Sequence, residues 1–157
     1  MTTRAGDEPR NEEFRERRRA REAALQMLYQ CEVGRVAPED AIAAYGEIEQ
    51  GSHLGSAEAE ALASRLVIGT VERTPELDPL IAASSDHWRP ERLAIVDRLI
   101  LRMAVYQFVH VSDVPPNVVI NEAVELARRF SGDESGRFVN GVLDAIKRKL
   151  KAAERPK

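Results

Sequence analysis

Between residues 91 and 110 the sequence leaves a helix almost no polar face. Leu93, Val96, Ile100, Met103, Ala104 and Gln107 recur at helical spacing, and Ile95, Leu99, Val105, Tyr106 and Phe108 widen that stripe around the cylinder. Such a segment cannot lie on a surface; it has to run through a core that other amphipathic segments cover. No apolar run approaches the roughly 18 residues needed to cross a bilayer. The Arg- and Glu-rich start of the chain does not resemble a secretion signal.

The rest of the chain supplies segments to cover that core. Ala20, Ala24, Met27, Leu28 and Cys31 form the stripe of a first helix from about Glu12, with Gly34 as its stop. Pro38 suits the first turn of a second helix through about Gln50, residues 51–55 form a loop, and Ser56 caps a third helix reaching about Arg73. Thr74-Pro75-Glu76 opens a short fourth helix bearing Leu77, Leu80 and Ile81, and Trp88-Arg89-Pro90 breaks the chain before the apolar fifth. After Val114-Pro115-Pro116, a sixth helix runs to Phe130 and ends at Gly132. A seventh runs from about Ser135 to Leu150 on Phe138, Val139, Val142, Leu143 and Ile146. Val118, Val119 and Ile120 have strand character in isolation, but residues 121–127 favour helix. The pattern is all-α with about seven helices, a mobile arm over 1–11 and a basic tail over 151–157.

Charge is unevenly spread along the 157 residues. The net charge of −3 conceals an excess of +2 over residues 1–21, −10 over 22–146 and +5 over 147–157. Basic ends on an acidic body suit a polyanion at the ends and a basic protein on the body. One cysteine forms no internal disulfide, which points to a reducing cytoplasm. No catalytic constellation is visible. His53, His87 and His110 fall in separate loops or helix ends, without metal-ligand spacing. Cys31 sits on an apolar stripe, where a thiol behaves as a small hydrophobe. Neither GxxxxGK[ST] nor GxGxxG occurs, so the sequence calls for no metal and no cofactor. The chain reads as a binder, not an enzyme.

Two segments could hold RNA. Arg17, Arg18, Arg19 and Arg21 cluster at the start of the first helix and project beside its stripe. Their forked donors match phosphate oxygens and can stack on bases. Cations at a helix N-terminus oppose its dipole, which itself calls for an anionic ligand. The second segment is the turn over 128–138, where Phe130 and Phe138 interleave with Arg128, Arg129 and Arg137. Phe138 also fits the stripe of the seventh helix, so a core role competes with a stacking one.

Four stretches then carry a resemblance: RRRAREAALQMLYQCEVG (17–34), AIVDRLILRMAVYQF (94–108), SDVPPNVVINEAVELARRF (112–130) and SGDESGRFVNGVLDAIKRKL (131–150). Together they resemble the transcription antitermination factor NusB family, over most of the chain and in the right order. Residues 35–75 match only in helical character. The resemblance implies two small packed helical bundles, here about 12–88 and 89–150, without enzymatic activity. It implies binding to box A of ribosomal RNA leaders together with NusE, a small-subunit ribosomal protein, within the antitermination complex of RNA polymerase. Carried over, the RNA-contacting positions are Arg17, Arg18, Arg19, Arg21, Tyr29, Phe130, Glu134, Arg137 and Phe138. Glu134 stands where the family pattern has aspartate, beside Asp133. Acidic residues for NusE, acting as rim charges, map onto Glu91 and Asp97 of the fifth helix. Two alternatives remain: the NusB-like domain of a ribosomal RNA cytosine methyltransferase, for which no GxGxxG-bearing βαβ unit is present, and a homodimeric scaffold that masks its own RNA site.

Overall fold

The computed structural model describes residues 7–48, 54–85, 89 and 93–154. Six helices occupy them: α1 (Asp7–Gly34), α2 (Pro38–Ile48), α3 (Ala57–Ser84), α4 (Ile95–His110), α5 (Pro116–Ser131) and α6 (Asp133–Ala153). No strand occurs among the described residues. The all-α class is as expected. The chain divides into two compact units, Met1–Ile68 and Gly69–Lys157, with the boundary inside α3.

In the first unit α1 packs on α2. Ala20, Ala23, Ala24, Leu25, Met27 and Leu28 of α1 are buried, as are Ala41 of α2, Leu54, and Ala59, Ala63, Leu66 and Val67 of α3. So many alanines let helices approach closely, and the lost bulk is recovered by the leucines and Met27 between them. Helix α1 starts at Asp7, inside the segment read as an arm, of which residues 1–6 lie outside the described residues. The apolar period gave no sign of this because residues 10–15 are all exposed. That turn is supported instead by ion pairs along the helix, Arg15 to Glu12 at 3.9 Å and Arg17 to Glu13 at 3.3 Å.

The second unit is built on α4, which is buried continuously from Leu99 to Gln107. Helices α5 and α6 form an antiparallel hairpin against it. Gly132 joins them at φ 105°, and its N–H donates to the carbonyls of Ala127 and Arg128. A side chain disfavours that φ, which is why glycine stands there. Lys147 Nζ donates to Asn117 Oδ1 at 3.0 Å and ties the far ends of the hairpin. Val118, Val119 and Ile120 lie within α5, started by Pro116 in its first turn.

A second boundary also differs from the sequence pattern. The third and fourth expected helices are one helix, α3, with Pro75 and Pro79 in its interior. Each proline removes a backbone donor and costs a helix about 3 kcal/mol in isolation. Tertiary anchoring outweighs that cost here. Leu77 and Ile81 are fully buried. Asp78 accepts from both Nε and Nη2 of Arg102 at 2.8 Å, a forked pair reaching into α4. Lys149 Nζ donates to the Ala83 carbonyl near the helix end.

Gly69 faces the ring of Tyr106, where a Cβ would lie 2.1 Å from Cζ. That ring is buried and leans on the His110 imidazole at 5.3 Å, so it has little room to retreat. Gly69→Ala is therefore expected to destabilise the protein by about 1–3 kcal/mol through overpacking, read as a lower urea midpoint at unchanged slope.

Candidate nucleic-acid interface

The arginine run sits nearly three turns inside α1 rather than at its start, because the helix already extends from Asp7. The conflict with the helix dipole disappears accordingly, since that effect fades within the first turn. Arg17 pairs with Glu13, and Arg19 with Glu12 at 3.2 Å, both half-exposed. Arg18 places its guanidinium 5.1 Å from the centre of the Phe14 ring. Exposed pairs of this kind contribute at most about 1 kcal/mol, so an arriving phosphate can replace the glutamates at small cost.

Arg21 departs from the expected pattern. It is 2% exposed, whereas Arg17, Arg18 and Arg19 all keep part of their surface in solvent. Spacing explains the difference: residues 21, 24, 25 and 28 share one side of the helix, and that side is packed. Tyr29 is exposed as a surface ligand contact requires, at 43%. It lies eleven residues beyond Arg18, so about 16 Å further along the same side of α1.

A second set of contacts braces the run. Ser56 Oγ donates to Glu16 Oε2 at 2.7 Å and accepts the Ala59 N–H at 3.1 Å, capping α3 while holding a carboxylate between the arginines. Gly55 has φ 97°, and a Cβ there would sit 2.9 Å from Glu16 Oε1 and 3.2 Å from Arg19 Nη2. The loop before α3 is thus pressed against the arginine run and needs glycine twice over, for backbone conformation and for space.

The α5–α6 turn gathers the other candidates within the second unit. Arg128 and Arg129 occupy the last turn of α5, with the Arg129 guanidinium 5.8 Å from the exposed Phe130 ring. Asp133, Glu134 and Arg137 are exposed on the first turns of α6, and Phe138 is half-buried, its stripe neighbour Val139 fully so. Phe138 therefore divides its surface between packing and solvent. Gly136 is buried under the Arg128 stem, where a Cβ would approach to 2.6 Å.

Asp97 is not a rim charge. It is only 8% exposed, and its Oδ2 accepts from Ser135 Oγ at 3.1 Å, linking the first turn of α4 to the first turn of α6. Its Oδ1 is buried without a hydrogen-bond partner among the described residues. The reason is position: the first turn of α4 faces α6, so a carboxylate there points inward. Glu91 lies outside the described residues, as do His53 and His87. His110 Nε2 meets Glu76 at 3.2 Å. No group of residues that could hold a metal occurs among the described residues. Burial, followed by the nearby Glu39 and Glu32 carboxylates, pushes the Cys31 thiol above its ordinary range and keeps it protonated.

Comparison with known proteins decides the family. The NusB family profile matches residues 18–148. The chain is 46% identical over 132 residues to the transcription antitermination protein NusB of Bacillus velezensis, covering 83% of this chain and 95% of that protein. The chain belongs to the NusB family. Among solved structures, T. maritima NusB superposes with a TM-score of 0.72 at 36% identity, over 85% of this chain and 91% of that one. A structure described as antitermination factors NusB and NusE in complex with dsRNA superposes at 0.76 with 28% identity, over 86% and 98%. The NusB match includes Tyr29 and the whole α5–α6 turn; Phe14, Arg15 and Arg17 precede it.

The Asp97–Ser135 contact can be isolated by a mutant cycle. Ser135→Ala leaves a buried carboxylate without its donor and is expected to cost about 1–3 kcal/mol in urea denaturation. In an Asp97→Ala background the same change should cost less than about 0.5 kcal/mol.

Proposed function

We propose that this protein is an RNA-binding transcription antitermination factor that engages box A of ribosomal RNA leader transcripts together with NusE and promotes processive transcription of ribosomal RNA operons. The observation that carries this reading is the half-exposed arginine row of α1 in a chain of the NusB family. Relatives bear the name transcription antitermination protein, and a structural neighbour joins NusB to NusE and RNA. The protein acts by binding, in the cytoplasm, and no helix among the described residues is long and apolar enough to cross a membrane.

The physical division of labour follows from the side chains. Arg17, Arg18 and Arg19 bring positive charge to the strand, which supplies affinity and salt dependence but no sequence preference. Sequence is read on unstacked bases, which lie against Tyr29, Phe130 and Phe138 while Glu134 and Arg137 reach base edges or phosphates. Arg21 acts from inside the packed face of α1, holding the helix rather than the RNA. NusE, a basic protein, is received by the acidic body at the segment leading into α4, where Glu91 and Asp97 stand. Asp97 serves there by fixing the start of α6 through Ser135.

Binding of box A RNA and a shuffled sequence, by the chain alone and with NusE, tests the reading. Four neutralised phosphates give a log–log salt slope of about −3, from roughly −0.7 per contact on a single strand. Arg17→Ala/Arg18→Ala/Arg19→Ala should weaken both RNAs and bring the slope toward about −1. Phe138→Ala should mainly erode the preference between them. A flat salt dependence in the unaltered chain removes the arginines from the account.

A further inference from the structure

Phe14 is a large aromatic side chain with no core to fill. It lies where residues 10–15 of α1 are all exposed, and 45% of its own surface meets solvent. Nearly half of this side chain is therefore open to a ligand. Its surroundings narrow the choice. Arg15 is adjacent, Arg17 and Arg18 lie three and four positions on, and the Arg18 guanidinium already rests 5.1 Å from the ring centre. One turn of helix thus combines a π face with three guanidinium groups. A ligand that uses both must carry a flat apolar part beside negative charge, which is the description of a nucleotide. A ligand of charge alone, such as an inorganic anion, would use the arginines and leave the ring idle.

We propose that Phe14 and Arg18 form a stacking platform for one base of the bound RNA strand, with Arg15 and Arg17 on the flanking phosphates. The platform rests on the RNA-binding reading above and extends it. The NusB match begins at residue 18, so Phe14 adds a contact one turn ahead of the aligned surface. The ion pairs of Arg15 and Arg17 with Glu12 and Glu13 are exposed and exchange readily for phosphate. A ring that is already flanked by a guanidinium offers a base a sandwich that needs little rearrangement.

The test is box A single-stranded RNA binding by the full chain and by Phe14→Ala, Phe14→Leu and Phe14→Tyr. Phe14 is exposed and alanine and leucine are better helix formers, so circular dichroism should show each variant folded. The alanine and leucine variants are expected to bind about 5- to 100-fold more weakly with an unchanged salt slope, while tyrosine binds within about twofold of the original. RNAs with a single abasic position, scanned along the strand, should locate the base. At that position Phe14→Ala brings no further loss. Normal binding by Phe14→Ala overturns the proposal, and normal binding by Phe14→Leu reduces the ring to a plain apolar contact and overturns it equally. If either happens while the unaltered chain still prefers box A, the platform alone fails. If the unaltered chain and NusE show no preference for box A, the functional reading fails and takes the platform with it.

Discussion

Everything that α1 can do depends on the burial of its alanine stripe. Ala20, Ala23, Ala24, Met27 and Leu28 are buried, and a rigid helix then fixes the direction of every other residue along it. Arg18 and Tyr29 are left on one open side, while Arg21 is drawn into the packing. Guanidinium groups held on a preformed helix have less freedom to lose on binding than the same groups on a flexible arm, and that difference favours affinity. Ser56 and Gly55 add to the same end by pressing a loop against Glu16 and Arg19.

The second unit reaches a similar result by a different route. Helix α4 is buried from Leu99 to Gln107, and its contribution is to position α5 and α6. The glycine between them allows a tight reversal, and the Asp97–Ser135 contact holds the first turn of α6 against the start of α4. Aromatic and charged groups thereby converge on a turn of defined shape. The cost is an inward carboxylate with one oxygen lacking a hydrogen bond among the described residues, an arrangement that stability alone would not favour.

Much of this was legible in the sequence, for a physical reason in each case. A fifth segment apolar on nearly all sides could only be a core helix, and Gly132 could only end one helix and start another. What escaped detection depended on non-local contact. Pro75 looks like a helix start, and only the burial of Leu77 and Ile81 with the Asp78–Arg102 fork keeps α3 continuous through it. Arg21 looks like surface because arginine usually is, yet its helical spacing matches that of Leu25 and Leu28. Asp97 and Ser135 are 38 positions apart, a pairing no local pattern reveals. Phe14 was visible as an aromatic four residues ahead of an arginine, but an isolated ring in a charged run carries no period to draw attention to it.

The central claim of the proposed function is that the arginine side of α1 holds the phosphates of box A RNA. The most direct measurement is photo-cross-linking of box A RNA to the chain in the presence of NusE, followed by mapping of the modified peptides. The account predicts cross-links within residues 14–29, lost when the salt concentration is raised. Cross-links absent from that segment, or concentrated on the acidic middle of the chain, would contradict it.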